Sequence, residues 1–126
     1  MEFIIIDDSL FDLFTQEKLL LKSGLAKNVR AFSSPQLAVE HLKEHGSRMS
    51  ETVILLDLQM PGLNGFEFAD HFAMLPESVR RRIKLFMISS TVDPNDMARA
   101  ETNPFIIRLL PKPLDLVLLR SLLTGE

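Results

Sequence analysis

The chain contains no cysteine, which excludes disulfides, thiolate nucleophiles and Cys-ligated zinc and agrees with a reducing compartment. Tryptophan is absent as well, so the protein has no indole to report ligand binding by fluorescence. No apolar run approaches the roughly 20 residues that a membrane-spanning helix requires. A secretory leader is not expected either, because Glu2 precedes a short apolar run that reaches Asp7-Asp8 at once. The expected location is therefore the cytoplasm. An excess of charge of either sign is also lacking. A net charge of -3 gives no general attraction to nucleic acid or to acidic lipid, and the one basic cluster, Arg80-Arg81-Arg82, is too short to change that.

What remains is the composition of a globular protein: 46% of residues are apolar and 25% charged across 126 positions, enough for one sizeable core and too few for two. A single domain over residues 1–126 is expected. Short β-type runs alternate with helical segments, the pattern of an α/β fold with a parallel sheet. Strands are expected near 2–6, 28–32, 52–56, 84–88 and 105–110. Ser9 reads as the N-cap of a helix carrying Leu10, Leu13, Phe14, Leu20 and Leu21, stopped by Gly24. Ser34-Pro35 opens a second helix with Leu37, Ala38 and Leu42 inward and Gly46 as its stop. A helix near 66–75 follows Gly65, and Pro76 begins a short turn that reaches Arg82. Asp93-Pro94 opens a helix ending near Thr102, and a last helix covers about 114–123. No internal repeat, low-complexity tract or linker interrupts the series.

The polar residues that end these runs carry the chemistry. Leu55-Leu56-Asp57 runs straight into the turn residues Met60-Pro61-Gly62-Leu63-Asn64-Gly65, which places Asp57 at the C-terminal edge of a buried strand. In an open parallel sheet that edge is where ligands bind. The first strand ends in Asp7-Asp8, the fourth in Ser89-Ser90 and the fifth in Pro111-Lys112-Pro113. Three acids, a hydroxyl and a lysine at strand exits form a set able to hold a phosphoryl group and a divalent cation. Each alone has an ordinary explanation, since Asp-Asp before a helix is usually a solvated turn and cap, and Ser-Ser or Pro-Lys-Pro a common loop. Their conjunction overturns it.

These residues, in order and spacing, resemble a response-regulator receiver domain of two-component signalling: Asp7-Asp8, the D-x-x-M-P-x-x-x-G string from Asp57 to Gly65, Ser89 with small Ser90, and Lys112-Pro113. The resemblance spans the whole chain. It implies a flavodoxin-like, doubly wound five-stranded parallel sheet of order 2-1-3-4-5 with helices on both faces. It also implies that Asp57 takes a phosphoryl group from a sensor histidine kinase or histidine phosphotransfer protein. Mg²⁺ or Mn²⁺ would be held by Asp8, Asp57 and the backbone carbonyl of Gln59, with Asp7 acting through water, since such ions favour hard oxygen ligands. Lys112 and the Ser89 hydroxyl would stabilise the phosphoryl oxygens. Met60, Pro61, Gly65, Ser90 and Pro113 would shape the surroundings, with Lys112-Pro113 a candidate cis peptide. Gln59 and Thr91 would tune the acyl-phosphate lifetime.

Receivers commonly pass the signal through the hydroxyl residue after strand four and a rotating aromatic three positions before the lysine. Here Ser89 keeps the hydroxyl, but Leu109 stands where the ring would be and can neither swing it nor make its hydrogen bond. The output surface, and any weak homodimer contact, would be the helix after strand four, strand five and the last helix; a monomer is equally consistent. Phe11 and Leu13, close to the acidic pair, are expected on the kinase-facing surface. A stand-alone receiver is expected, because the chain ends with its last helix, and it would act on a partner protein or relay onward. Three other readings fit less well. A haloacid-dehalogenase-type hydrolase needs an acid where Gln59 stands, a receiver working without phosphorylation would not need the full residue set, and a flavodoxin-like cofactor carrier needs a phosphate loop after strand one. His41 and His45 lie one helical turn apart, but with no third ligand nearby they read as a solvated helix face rather than a metal site.

Overall fold

Alternating apolar runs and capped helices build a three-layer α/β structure in the computed structural model, which describes residues 1–91 and 93–125. The strands are β1 (Glu2–Ile6), β2 (Asn28–Phe32), β3 (Thr52–Asp57), β4 (Ile83–Ser89) and β5 (Ile106–Pro111). They pair in parallel in the order β2-β1-β3-β4-β5. The helices are α1 (Leu10–Ser23), α2 (Pro35–His45), α3 (Gly65–Ala73), the single turn α4 (Glu77–Arg80), α5 (Pro94–Thr102) and α6 (Leu116–Thr124). Among the described residues no helix is long and apolar enough to cross a membrane.

The pleat divides the core. Ile4, Ile6, Ile54 and Leu56 face one layer and pack with Ala38, Leu42, Phe68 and Phe72 of α2 and α3. Phe3, Ile5, Val53 and Leu55 face the other and pack with Leu13 and Leu20 of α1 and Leu119 of α6. Every residue of β3 is buried, as a strand covered on both faces must be.

Several boundaries and faces differ from expectation. β3 extends through Asp57 and β4 through Ser89, so both polar residues are the last of their strands. The third helix runs from Gly65 to Ala73, because the Asn64–Glu67 capping box starts it one residue early. The last helix begins at Leu116, because the Asp115 carboxylate accepts from Leu118 N–H and acts as its cap. Leu37 is 55% exposed rather than inward. The buried stripe of α2 is Pro35, Ala38, Val39 and Leu42, and at about 100° per residue position 37 falls on the opposite side. Likewise α1 buries Leu13, Gln16 and Leu20, leaving Leu10, Phe14 and Leu21 exposed.

Candidate functional site

Parallel pairing brings the strand exits to one edge of the sheet. Leu58 N–H donates to Ile88 O at 3.0 Å, Asp7 N–H to Phe32 O at 3.1 Å, and Lys112 N–H to Ser89 O at 2.8 Å, so the ladder continues into the functional loops. Carboxylate oxygens of Asp7, Asp8 and Asp57 lie within 4.8 Å of one another. Asp7 and Asp57 are buried and Asp8 is exposed. The loop after Asp57 folds back tightly, with Gly65 N–H donating to Leu58 O at 2.9 Å. A Cβ at Gly65 would come within 2.8 Å of Met87 Cε, 3.1 Å of Leu58 Cα and 3.2 Å of Asp57 O, so a side chain there would have to push the backbone around Asp57 aside. Met60 is buried in the core cluster, whereas Gln59, Pro61, Ser90 and Thr91 are exposed. The Lys112-Pro113 peptide is cis, as expected.

The Lys112 ammonium stands 2.7 Å from Asp7 Oδ2, 2.9 Å from Asp12 Oδ2 and 3.4 Å from Asp57 Oδ1. Burial by itself would lower its pKa, but the hydrogen bonds to Asp7 and Asp12 and the charge of Asp57 outweigh it and hold the group protonated well above the ordinary lysine range. Asp57 goes the other way from a typical ion-paired acid: burial first, then the Asp7 charge, push its pKa up to about 6 despite the opposing pull of Lys112. Asp7 has both oxygens occupied, Oδ1 by Ser9 N–H at 2.9 Å and Oδ2 by Lys112 and, at 3.4 Å, Gln16 Nε2. Three clustered hard oxygen donors suit a small divalent cation, and Asp8 and Asp57 are less engaged than Asp7, which already accepts from Ser9, Gln16 and Lys112.

Ser89 is buried at the right strand end, but its hydroxyl donates to Thr91 O at 2.7 Å and accepts from Thr91 N–H at 3.2 Å, which closes it within its own loop. Leu109 is buried beside Met87 in the sheet register. Phe105 packs edge-on against Phe72, with the Arg80 guanidinium over its face, so it is not a free ring. Leu13 lies in the core and not on the surface beside Phe11, because it belongs to the buried stripe of α1. The rings of His41 and His45 meet at a tilt of 45° with centroids 4.8 Å apart, His41 is likewise tilted against Phe32, and His45 Nδ1 meets Arg48 Nη2 at 2.8 Å. They are thus half-buried ring contacts rather than a fully solvated face. A groove of about 940 Å³ runs past them along β2, at the sheet edge opposite the acidic cluster.

Two participants were not foreseen. Gln16 carries a signal, since it is the polar member of an otherwise apolar buried stripe. Asp12 carries none, because its contact with Lys112 spans 100 residues.

With this geometry in place, a family model for the response regulator receiver domain matches residues 3–124. Among solved structures, a response regulator receiver protein from Dyadobacter fermentans is 65% identical, with a TM-score of 0.94 over 99% of this chain and 96% of that one. A two component response regulator from Cytophaga hutchinsonii is 25% identical, with a TM-score of 0.89 over 98% and 94%. A CheX-CheY complex with BeF3 and Mg²⁺ from Borrelia burgdorferi, 18% identical with a TM-score of 0.75 over 99% and 87%, shares the fold. Among curated proteins none matches.

Proposed function

The chain belongs to the response regulator receiver domain family, and on that footing we propose that it accepts a phosphoryl group on Asp57 from a histidine kinase or phosphotransfer protein in the cytoplasm. The observation that carries this reading is the position of Asp57 within 4.8 Å of two other carboxylates and 3.4 Å from the Lys112 ammonium. A carboxylate oxygen of Asp57 attacks phosphorus in line, the bond from phosphorus to the donor imidazole nitrogen breaks, and an acyl phosphate remains. Lys112 turns a donor from the Asp57 carboxylate to a phosphoryl oxygen, and the Ser89 hydroxyl leaves Thr91 O for another. A bound Mg²⁺ would neutralise charge between donor and acceptor; Asp8, Asp57 and the Gln59 carbonyl are its proposed direct ligands, with Asp7 acting through water. Exposed Gln59 and Thr91 flank the approach of hydrolytic water.

The output is the loop movement that follows Ser89. It would be read on the surface of α5, β5 and α6, where Met97, Ile107 and Val117 are exposed. A switch of this kind runs through the hydroxyl without an aromatic partner, because Leu109 stays packed.

Incubation with acetyl phosphate and Mg²⁺ should add about 80 Da, one phosphoryl group, to the intact mass. The gain should depend on the metal and vanish in Asp57→Asn. A gain that persists in that variant would overturn the assignment.

A further inference from the structure

Lys112 is gripped from two directions, and one grip lies outside the acidic cluster. On the sheet side its ammonium meets Asp7 at 2.7 Å and Asp57 at 3.4 Å; on the α1 side it meets Asp12 at 2.9 Å. An ammonium has three donors and accepts nothing; it is hydrogen-bonded to Asp7 and Asp12, with Asp57 farther off as an ion pair. A phosphoryl oxygen on Asp57 must compete with two carboxylates that already hold the ammonium. Asp57, at the longest distance, yields its contact when it gains a phosphoryl group. Asp7 is fully buried and Asp12 one third exposed, and Asp12 stands on a helix fixed by the Ser9 cap and by buried Leu13. It therefore stays a rival for the same ammonium after Asp57 is modified.

We infer that Asp12 is a positioning residue acting through Lys112: it shares the ammonium with the phosphoacceptor site and holds it partly off the phosphoryl oxygen, so that phosphorylation is slower than Asp7, Asp57 and Lys112 alone would permit. The inference rests on the receiver reading above. The plain structural role of Asp12, an acid in the first turn that favours the helix dipole, makes a different prediction, because it does not pass through Lys112.

The first measurement is the rate of Asp57 phosphorylation by acetyl phosphate at saturating Mg²⁺, in wild type and Asp12→Asn. The variant should be faster by about two- to fivefold, the scale of a partly exposed ion pair. An equal or slower rate overturns the inference. The second is Mg²⁺ affinity, measured by calorimetry across a cycle of wild type, Asp12→Asn, Lys112→Met and the double variant. Released from Asp12, Lys112 should compete harder for Asp7 and Asp57, so Asp12→Asn should weaken Mg²⁺ binding more when Lys112 is present than when it is Met. Equal weakening in both backgrounds overturns the inference, since Asp12 would then act only by its own charge. If acetyl phosphate modifies no form, the proposed phosphoacceptance from this donor fails while the family assignment stands, and the Mg²⁺ cycle alone decides whether Asp12 governs Lys112.

Discussion

The nucleophile proposed at Asp57 must be ionised, yet this carboxylate sits where ionisation is opposed. Burial and the neighbouring Asp7 raise its pKa from 3.8 to about 6. Between those values the folded protein binds more protons than the unfolded chain, so stability from this group is full below the unfolded value and is lost as pH rises through about 6. At neutral pH the site therefore holds a charged, destabilising acid that a metal or a phosphoryl transfer can put to use. Without divalent cations, Asp57→Asn should be more stable than wild type at pH 8 by about 1–3 kcal/mol, and the difference should close toward pH 4. Urea unfolding at several pH values, followed by far-ultraviolet circular dichroism, measures it. Parallel stability curves for the two proteins would show that Asp57 does not titrate in this window.

At the scale of elements, α1 serves two sides at once. Leu13, Gln16 and Leu20 tie it to the core and to Asp7, while Leu10, Phe11 and Phe14, in the first turns after the acidic pair, are 73%, 76% and 62% exposed. Large apolar side chains exposed on one helix suit a partner surface better than water. Phe11→Ala and Phe14→Ala should change stability by no more than about 0.5 kcal/mol. They should leave acetyl phosphate phosphorylation unchanged and slow transfer from the cognate kinase at least about tenfold, a loss typical of a truncated interface anchor. Leu13→Ala should instead cost about 2–4 kcal/mol, because it empties a core position. Unchanged kinase transfer in both phenylalanine variants would remove α1 from the docking surface.

For the molecule as a whole, the acidic cluster exists only when the strand exits converge, so the unfolded chain offers no comparable metal site. Ligand binding then feeds directly into global stability, by about 2.7 kcal/mol at one hundred times the dissociation constant. The thermal midpoint should climb with Mg²⁺ and climb less in Asp57→Asn, which keeps Asp7 and Asp8 but loses a charged ligand. Circular dichroism again serves, since the chain has neither Trp nor Tyr. A midpoint indifferent to Mg²⁺ up to millimolar concentrations would mean that the cluster does not bind the ion.

The apolar runs ending in Asp7-Asp8, Asp57, Ser89 and Lys112 determined by themselves the strand number, the parallel class and the edge at which the polar residues gather. Those signals are local, since a strand, its stop and its turn occupy about ten neighbouring positions. The tertiary structure alone decided which apolar residues of α1 and α2 face inward, against the expectations for Leu13 and Leu37. It also turned the Ser89 hydroxyl onto Thr91, closed the Asp7 carboxylate with Gln16, and gave Lys112 a third carboxylate in Asp12. Helix rotation follows from the whole packed face rather than from one residue's hydropathy. Which carboxylates share a lysine is settled when β1 and β5, far apart in the chain, come to rest on either side of β3 and β4.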